Sequence, residues 1–191
     1  LHIPNYQNRI DATKVVVYSP GDKQIASSYE KCDREFQIYK LKQSRYTNGF
    51  WAGGDLGLAY YSYTDDRLNQ VEDSSPDPAI HIHDIYEEND SVLYVVTAAA
   101  GFRKLWIEKT PGNIRIMNQK RYRFFHEQRE ITMFYPMLSE GDSILWLGSR
   151  EKGLIRFDKR TEEYQVISLK EMLHKSVDDV LSMQRAKDGR I

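Results

Sequence analysis

His81-Ile82-His83-Asp84 is the stretch of this chain whose residue types come nearest to metal or acid–base chemistry. Alternate residues of a strand point to one side, so His81 and His83 would share a face and offer two imidazoles to one ligand. No third ligand follows at a metal-binding spacing, and a structural or pore-facing role outweighs ligand contact. Gln119-Lys120-Arg121-Tyr122-Arg123-Phe124-Phe125-His126 offers different chemistry. Arginine forks bond carboxylates and aromatic rings pack on sugar faces, which makes Arg121, Tyr122 and Arg123 candidates for an acidic saccharide, with an outer strand as the plainer reading. Trp106 is a further stacking candidate, since the best repeat has no aromatic residue at its matching position, although Phe157 occurs one step away. Asp65-Asp66 and Asp178-Asp179 are adjacent acids in or near turns, where aspartate bonds its own backbone. Cys32 has a neighbouring Lys31 that would lower its pKa but no histidine partner, so it reads as a passive thiol. No Gly-rich phosphate loop, His-Glu-x-x-His or Gly-x-Ser-x-Gly is present. The expectation is therefore no catalytic residue, no metal and no cofactor.

The elements that must position these residues read as strands. The 191 residues carry 27 Lys+Arg against 28 Asp+Glu, a formal net charge of -1, which lacks the basic surplus of a nucleic-acid-binding surface. Hydrophobic residues make up 40% and aromatics 12%, which sets the chain apart from acidic, aromatic-poor disordered segments and lets it bury a core. No run approaches the ~20 apolar residues of a membrane helix, and Leu1-His2-Ile3-Pro4-Asn5 lacks the pattern of a secretion signal. One cysteine excludes an internal disulfide. Lys14-Val15-Val16-Val17-Tyr18, Ser91-Val92-Leu93-Tyr94-Val95-Val96 and Ser143-Ile144-Leu145-Trp146-Leu147-Gly148 are short apolar runs bounded by turn formers. Only 168–175 suits a short helix, with Ser168 as cap and Glu171 three residues on. The fold class expected is all-β.

A repeat orders these strands. Leu145-Trp146-Leu147-Gly148-Ser149 leads into Gly153-Leu154-Ile155-Arg156-Phe157-Asp158 and then Tyr164-Gln165-Val166-Ile167. Earlier, Phe50-Trp51-Ala52-Gly53 leads into Gly57-Leu58-Ala59-Tyr60-Tyr61 and Leu68-Asn69-Gln70-Val71. A degenerate copy runs from Leu93-Tyr94-Val95-Val96 to Gly101-Phe102, with Tyr94 for the Trp and Val96 for the Gly. Trp51 and Tyr94 are 43 positions apart and Tyr94 and Trp146 are 52 apart, a period the size of a propeller blade. An apolar pair precedes each copy: Ile38 with Leu41, Ile82 with Ile85, Phe134 with Met137, and Val180 with Met183. Four strands per unit make a β-propeller segment of about four units. The units expected are 1–35 as the outer part of a preceding blade, blades at 36–73, 78–125 and 130–168, and the start of a next blade at 176–191. Recurrence of Trp51, Tyr94 and Trp146 is expected to serve packing between blades, with Gly53, Gly148 and Gly153 shaping the turns and strands beside them. Repeat arrays bury their faces against neighbours, so the segment reads as part of a larger array.

The stretch from Leu145 to Ser149 with Gly153 to Asp158, and Val180-Leu181-Ser182-Met183 followed by Asp188-Gly189-Arg190-Ile191, resembles the two-component regulator propeller repeat. That repeat is written as an aliphatic-Asp-Gly approach to Leu-Trp-Ile-Gly-Thr, then Gly-Gly-Leu and an aromatic-Asp turn. The first unit matches the repeat less closely and the second poorly, and together these stretches cover about two thirds of the chain. Such repeats occur in the periplasmic sensor region of Bacteroides-type hybrid two-component system proteins. The resemblance implies a periplasmic, ligand-sensing propeller that detects polysaccharide-derived oligosaccharides for transcription of utilisation genes. It implies a membrane-anchored parent, a sensor histidine kinase that acts as a homodimer, while this segment is neither an enzyme nor in contact with nucleic acid. A propeller scaffold for protein–protein interaction, or less so a propeller lyase or hydrolase, is the competing reading.

Overall fold

In a computed structural model the described residues are 15–19, 24–29, 37–110, 113–150, 152–174 and 178–191; Cys32 and most of the segment expected at 1–35 lie outside them. The strands are β1 (Val15–Ser19), β2 (Gln24–Tyr29), β3 (Ile38–Gln43), β4 (Gly49–Gly54), β5 (Gly57–Ser62), β6 (Arg67–Gln70), β7 (Ile82–Glu87) and β8 (Val92–Thr97). They continue as β9 (Phe102–Thr110), β10 (Asn113–Tyr122), β11 (Phe124–His126), β12 (Arg129–Ile131), β13 (Phe134–Glu140), β14 (Ile144–Ser149), β15 (Leu154–Asp158) and β16 (Tyr164–Ile167). Helix α1 (Leu169–Leu173) follows, and Ser168 caps it by accepting the Glu171 amide on its hydroxyl. The all-β expectation holds.

Turn-linked neighbours pair antiparallel, so β3–β6, β7–β10 and β13–β16 form three four-stranded meanders among the described residues. β1 and β2 form a separate hairpin, as do β11 and β12. The junction expected between residues 125 and 130 is the turn of the β11–β12 hairpin, and Phe124 and Ile131 carry that hairpin into the core between the second and third sheets.

Alternation in the strands makes both faces of the second sheet apolar. Ile82, Ile85, Leu93, Val95, Leu105 and Ile107 pack against Trp51, Leu58 and Tyr60 of the first sheet. On the other face Tyr94, Val96, Phe102 and Tyr122 pack against Phe134, Leu145, Leu147, Ile155 and Phe157 of the third. Trp51 is fully buried, and its indole N–H donates to Glu87 Oε1 at 3.0 Å, across to the second sheet. Tyr94 takes the equivalent slot at 1% exposure, and Val96 fills space where the other copies have glycine. Trp146 differs: it is half-buried and donates at 2.7 Å to Glu140 of its own sheet, because no following sheet covers its face among the described residues.

Backbone contacts repeat from unit to unit. A Cβ on Gly53 would meet Ile82 Cγ2 at 2.6 Å, and one on Gly148 would meet Val180 Cγ1 at 2.7 Å. Gly101 N donates to Thr132 O at 3.0 Å, and Gly153 N, in the left-handed region at φ 70°, donates to Asp178 O at 2.7 Å. Val180 therefore lands where Ile82 lands two units earlier, yet the described residues 178–191 form no strand, since no ladder partner lies beside them. At the outer edge Glu72 runs parallel to β10, donating its amide to Ile114 O and accepting from Ile116 N.

Trp51→Ala should cost about 3–5 kcal/mol in urea unfolding, the range for an aromatic deleted from a packed core. Trp51→Phe should cost less, keeping the ring but removing the donor to Glu87.

Candidate functional site

The three first strands β3, β7 and β13 lie side by side, β7 in the middle. Each departs from regular pairing at the same place. The register skips Tyr39 between Ile38 and Lys40, His83 between Ile82 and Asp84, and Tyr135 with Pro136 between Phe134 and Met137. A bulge turns a side chain out of the alternation of its strand. Here it brings three rings into one row. Tyr39 stacks on His83 with centroids 4.7 Å apart and an interplanar angle of 16°, and Tyr135 meets His83 edge-on at 4.8 Å and 77°. Tyr39 remains 41% exposed, so the row opens to solvent at that end.

The next residue along ties the strands beneath the row. The Asp84 carboxylate is buried; it accepts the Ile85 amide at 2.8 Å and the Met137 amide of β13 at 3.0 Å, and pairs with Lys40 Nζ of β3 at 3.0 Å. One carboxylate thus touches all three strands. Burial holds the His83 pKa below the ordinary 6.5, and the charge of His81 pushes it further down.

The two histidines meet differently from the expectation. β7 begins at Ile82, His81 precedes it in the left-handed region at φ 53°, and the bulge breaks alternation, so the pair does not share a strand face. They remain close enough to interact electrostatically. No group of three metal-ligating side chains gathers among the described residues.

The other sequence candidates stand elsewhere. Tyr122 is buried, with its ring against Phe102 and Phe157, and its hydroxyl donates to Glu162 at 2.9 Å, leaving no face for a sugar. Burial pushes its pKa up, and the bond to Glu162 adds to that. Trp106 is half-buried with Lys104 Nζ 5.1 Å above its ring. Arg121 pairs with Glu130 at 2.7 Å, while Arg123 is exposed and 3.8 Å from the same carboxylate. Neither Trp106 nor this arginine pair joins the row on the first strands. Tyr39, Lys40 and Tyr135 carry no motif of their own, and Asp84 enters the sequence reading only as the end of the His81–Asp84 stretch. Beyond that, their only signal is position, one or two residues after Ile38, Ile82 and Phe134 in successive units.

No protein-family model matches the chain, and no curated protein does. Among solved structures, it is similar to the extracellular domain of BT4673 from B. thetaiotaomicron, described in one structure as a one component system, with TM-score 0.58, 17% identity, and coverage of 82% of this chain and 19% of that one. A second structure of the BT4673 extracellular domain, described there as a hybrid two component system, gives TM-score 0.55 and 16% identity over 81% of this chain and 22% of that one. The chain thus shares the fold of a portion of these extracellular domains and spans about a fifth of their length. Among the described residues no helix is long and apolar enough to cross a membrane.

Because the folded protein resists protonating His83 while the unfolded chain takes that proton near pH 6.5, this residue contributes stability above about pH 6.5 that is lost as pH falls below it. Unfolding free energies measured at about pH 7.5 and about pH 5.5 should therefore differ more in the natural protein than in His83→Phe, which retains an aromatic ring in the row.

Proposed function

We propose that this chain is a segment of a β-propeller in the periplasmic sensor region of a membrane-anchored hybrid two-component protein, and that it takes part in detecting polysaccharide-derived oligosaccharides. The observation that carries the reading is the row Tyr39–His83–Tyr135, built by equivalent bulges in three equivalent units. Rings held at one rim of stacked sheets suit the apolar faces of sugar rings, and the charged Lys40, 35% exposed beside them, suits hydroxyl groups. The fold likeness to extracellular domains supports the extracytoplasmic side of the reading.

A sugar seated on β3, β7 and β13 together would favour one relative tilt of the units. Sensing requires unequal binding to the two arrangements of a homodimeric parent; moving a population from roughly 1:99 to 99:1 takes about 5.5 kcal/mol of differential affinity. The kinase of the parent would carry the phosphotransfer that regulates transcription, and this segment only the recognition.

Calorimetry of the intact sensor region against a panel of polysaccharide fragments should find one binding class. Tyr39→Ala and Tyr135→Ala should each weaken that class about two- to tenfold, the equivalent of one aromatic contact. A panel with no binder, or binding indifferent to both substitutions, overturns the reading.

A further inference from the structure

The outer half of the second sheet opposes like charges twice. Register pairs Lys104 with Lys120 and Arg103 with Arg121 across β9 and β10, an arrangement that destabilises a sheet unless an anion compensates it. For the lysines the protein supplies that anion: Glu162, in the turn between β15 and β16, bonds Lys120, and this bond, with that from Tyr122 and the charge of Lys104, holds its pKa down. On the opposite face no carboxylate bonds both arginines among the described residues. Arg103 turns to Asp77, through Nη2 to the carboxylate and Nη1 to the carbonyl at 2.7 Å each, with Nη1 also donating to Gln119 Oε1 at 2.7 Å, and Arg121 turns to Glu130.

Arg103 is 1% exposed, and burying a guanidinium is costly unless its charge and all its donors are met. Its carboxylate partner Asp77 is 63% exposed and well screened, and neither Arg103 Nε nor Arg121 Nε has a hydrogen-bond partner. Both arginines line an open cleft of about 520 Å³ between β10 and the loop 73–77, with Ser74, Met117, Asn118 and Gln119 on its walls. The cleft is built. Asp73 spends both carboxylate oxygens on the Ser75 and Ala79 amides, Gln119 holds Asp77 O at 2.9 Å, and a bulge between Ile116 and Asn118 sets Met117 apart from the ladder.

We propose that this cleft binds an oxyanion, a carboxylate or sulfate group, between Arg103 and Arg121, either as a free ion or borne on a saccharide. The anion does for the arginine pair what Glu162 does for the lysine pair. The site lies toward the outer edge of the second sheet and stands apart from the ring row on β3, β7 and β13.

Calorimetry of the intact sensor region at low ionic strength tests it with inorganic sulfate, glucuronate and, as the neutral control, glucose. Sulfate or glucuronate should bind and glucose should not; a free ion is assigned if sulfate alone binds, and a saccharide-borne carboxylate if glucuronate binds more tightly. Arg121→Gln should weaken anion binding about tenfold or more, as loss of a charge-assisted fork does. Met117→Trp, which fills the cleft without removing a charge, should weaken it too, whereas Arg115→Gln, on the same strand and paired with Glu108, should leave it within about twofold. Absence of anion binding, equal binding of glucose, or affinity unchanged in both Arg121→Gln and Met117→Trp overturns the cleft. Neutral-fragment binding that depends on Tyr135 and survives Arg121→Gln would leave the sensing reading standing even then.

Discussion

At its centre the sheet β7–β10 is apolar on both faces. One side presents Leu93, Val95 and Leu105 and the other Tyr94, Val96 and Phe102, all of them fully or almost fully buried. A four-stranded meander of this kind has no stable existence in water until a second sheet covers each side, so the strands of one unit and the stacking of units form together. Everything else in the chain accommodates that requirement: close glycine contacts let the sheets approach, and buried polar groups tie one unit to the next at fixed points. Glu87 is the clearest of these ties, a fully buried carboxylate of β7 that accepts from the Ser44 hydroxyl, the Arg45 amide and the Trp51 indole, all from the first unit. Asp84 performs the same task three residues earlier in both directions.

Cations also pass from unit to unit through rings. Lys109 of β9 lies 5.1 Å above Trp51 and 5.6 Å above Tyr60 of the first sheet, desolvated enough that its pKa is lowered, and Lys159 of the third unit lies over Tyr86 of the second while pairing with Glu88. These contacts are directional where apolar packing is not. Together with the carboxylate ties they fix how far one sheet turns on its neighbour, which keeps the three bulges in line.

Much of the frame is legible in the residues. The aromatic slot at Trp51 and Tyr94, the four strands per unit and the Ser168 cap follow from local patterns, because a period of two and a capping side chain are local physics. The bulges are not local. Whether Tyr39 or His83 is skipped depends on the register of two strands, and a one-residue shift leaves no trace in the alternation of either. The left-handed backbone at His81, the burial of Arg103 beneath the loop 73–77 and the three-way contact of Asp84 depend on chain segments between 17 and 53 residues away. Nothing in Phe102-Arg103-Lys104-Leu105 itself marks the two opposed charge pairs, which arise only from the register of β9 against β10.

β10, ten residues long, is the outermost strand of its sheet. A strand edge of that length is an invitation to pair with another molecule. Its first half is already occupied, because Glu72 satisfies Ile114 O and Ile116 N from outside the sheet. Its second half carries Lys120 and Arg121, with Arg123 just beyond, so a second copy arriving in antiparallel register would bring cation against cation. The short excursion of the chain at Glu72 therefore guards against sheet-to-sheet aggregation as much as it joins two units, and its loss would be felt first in solubility.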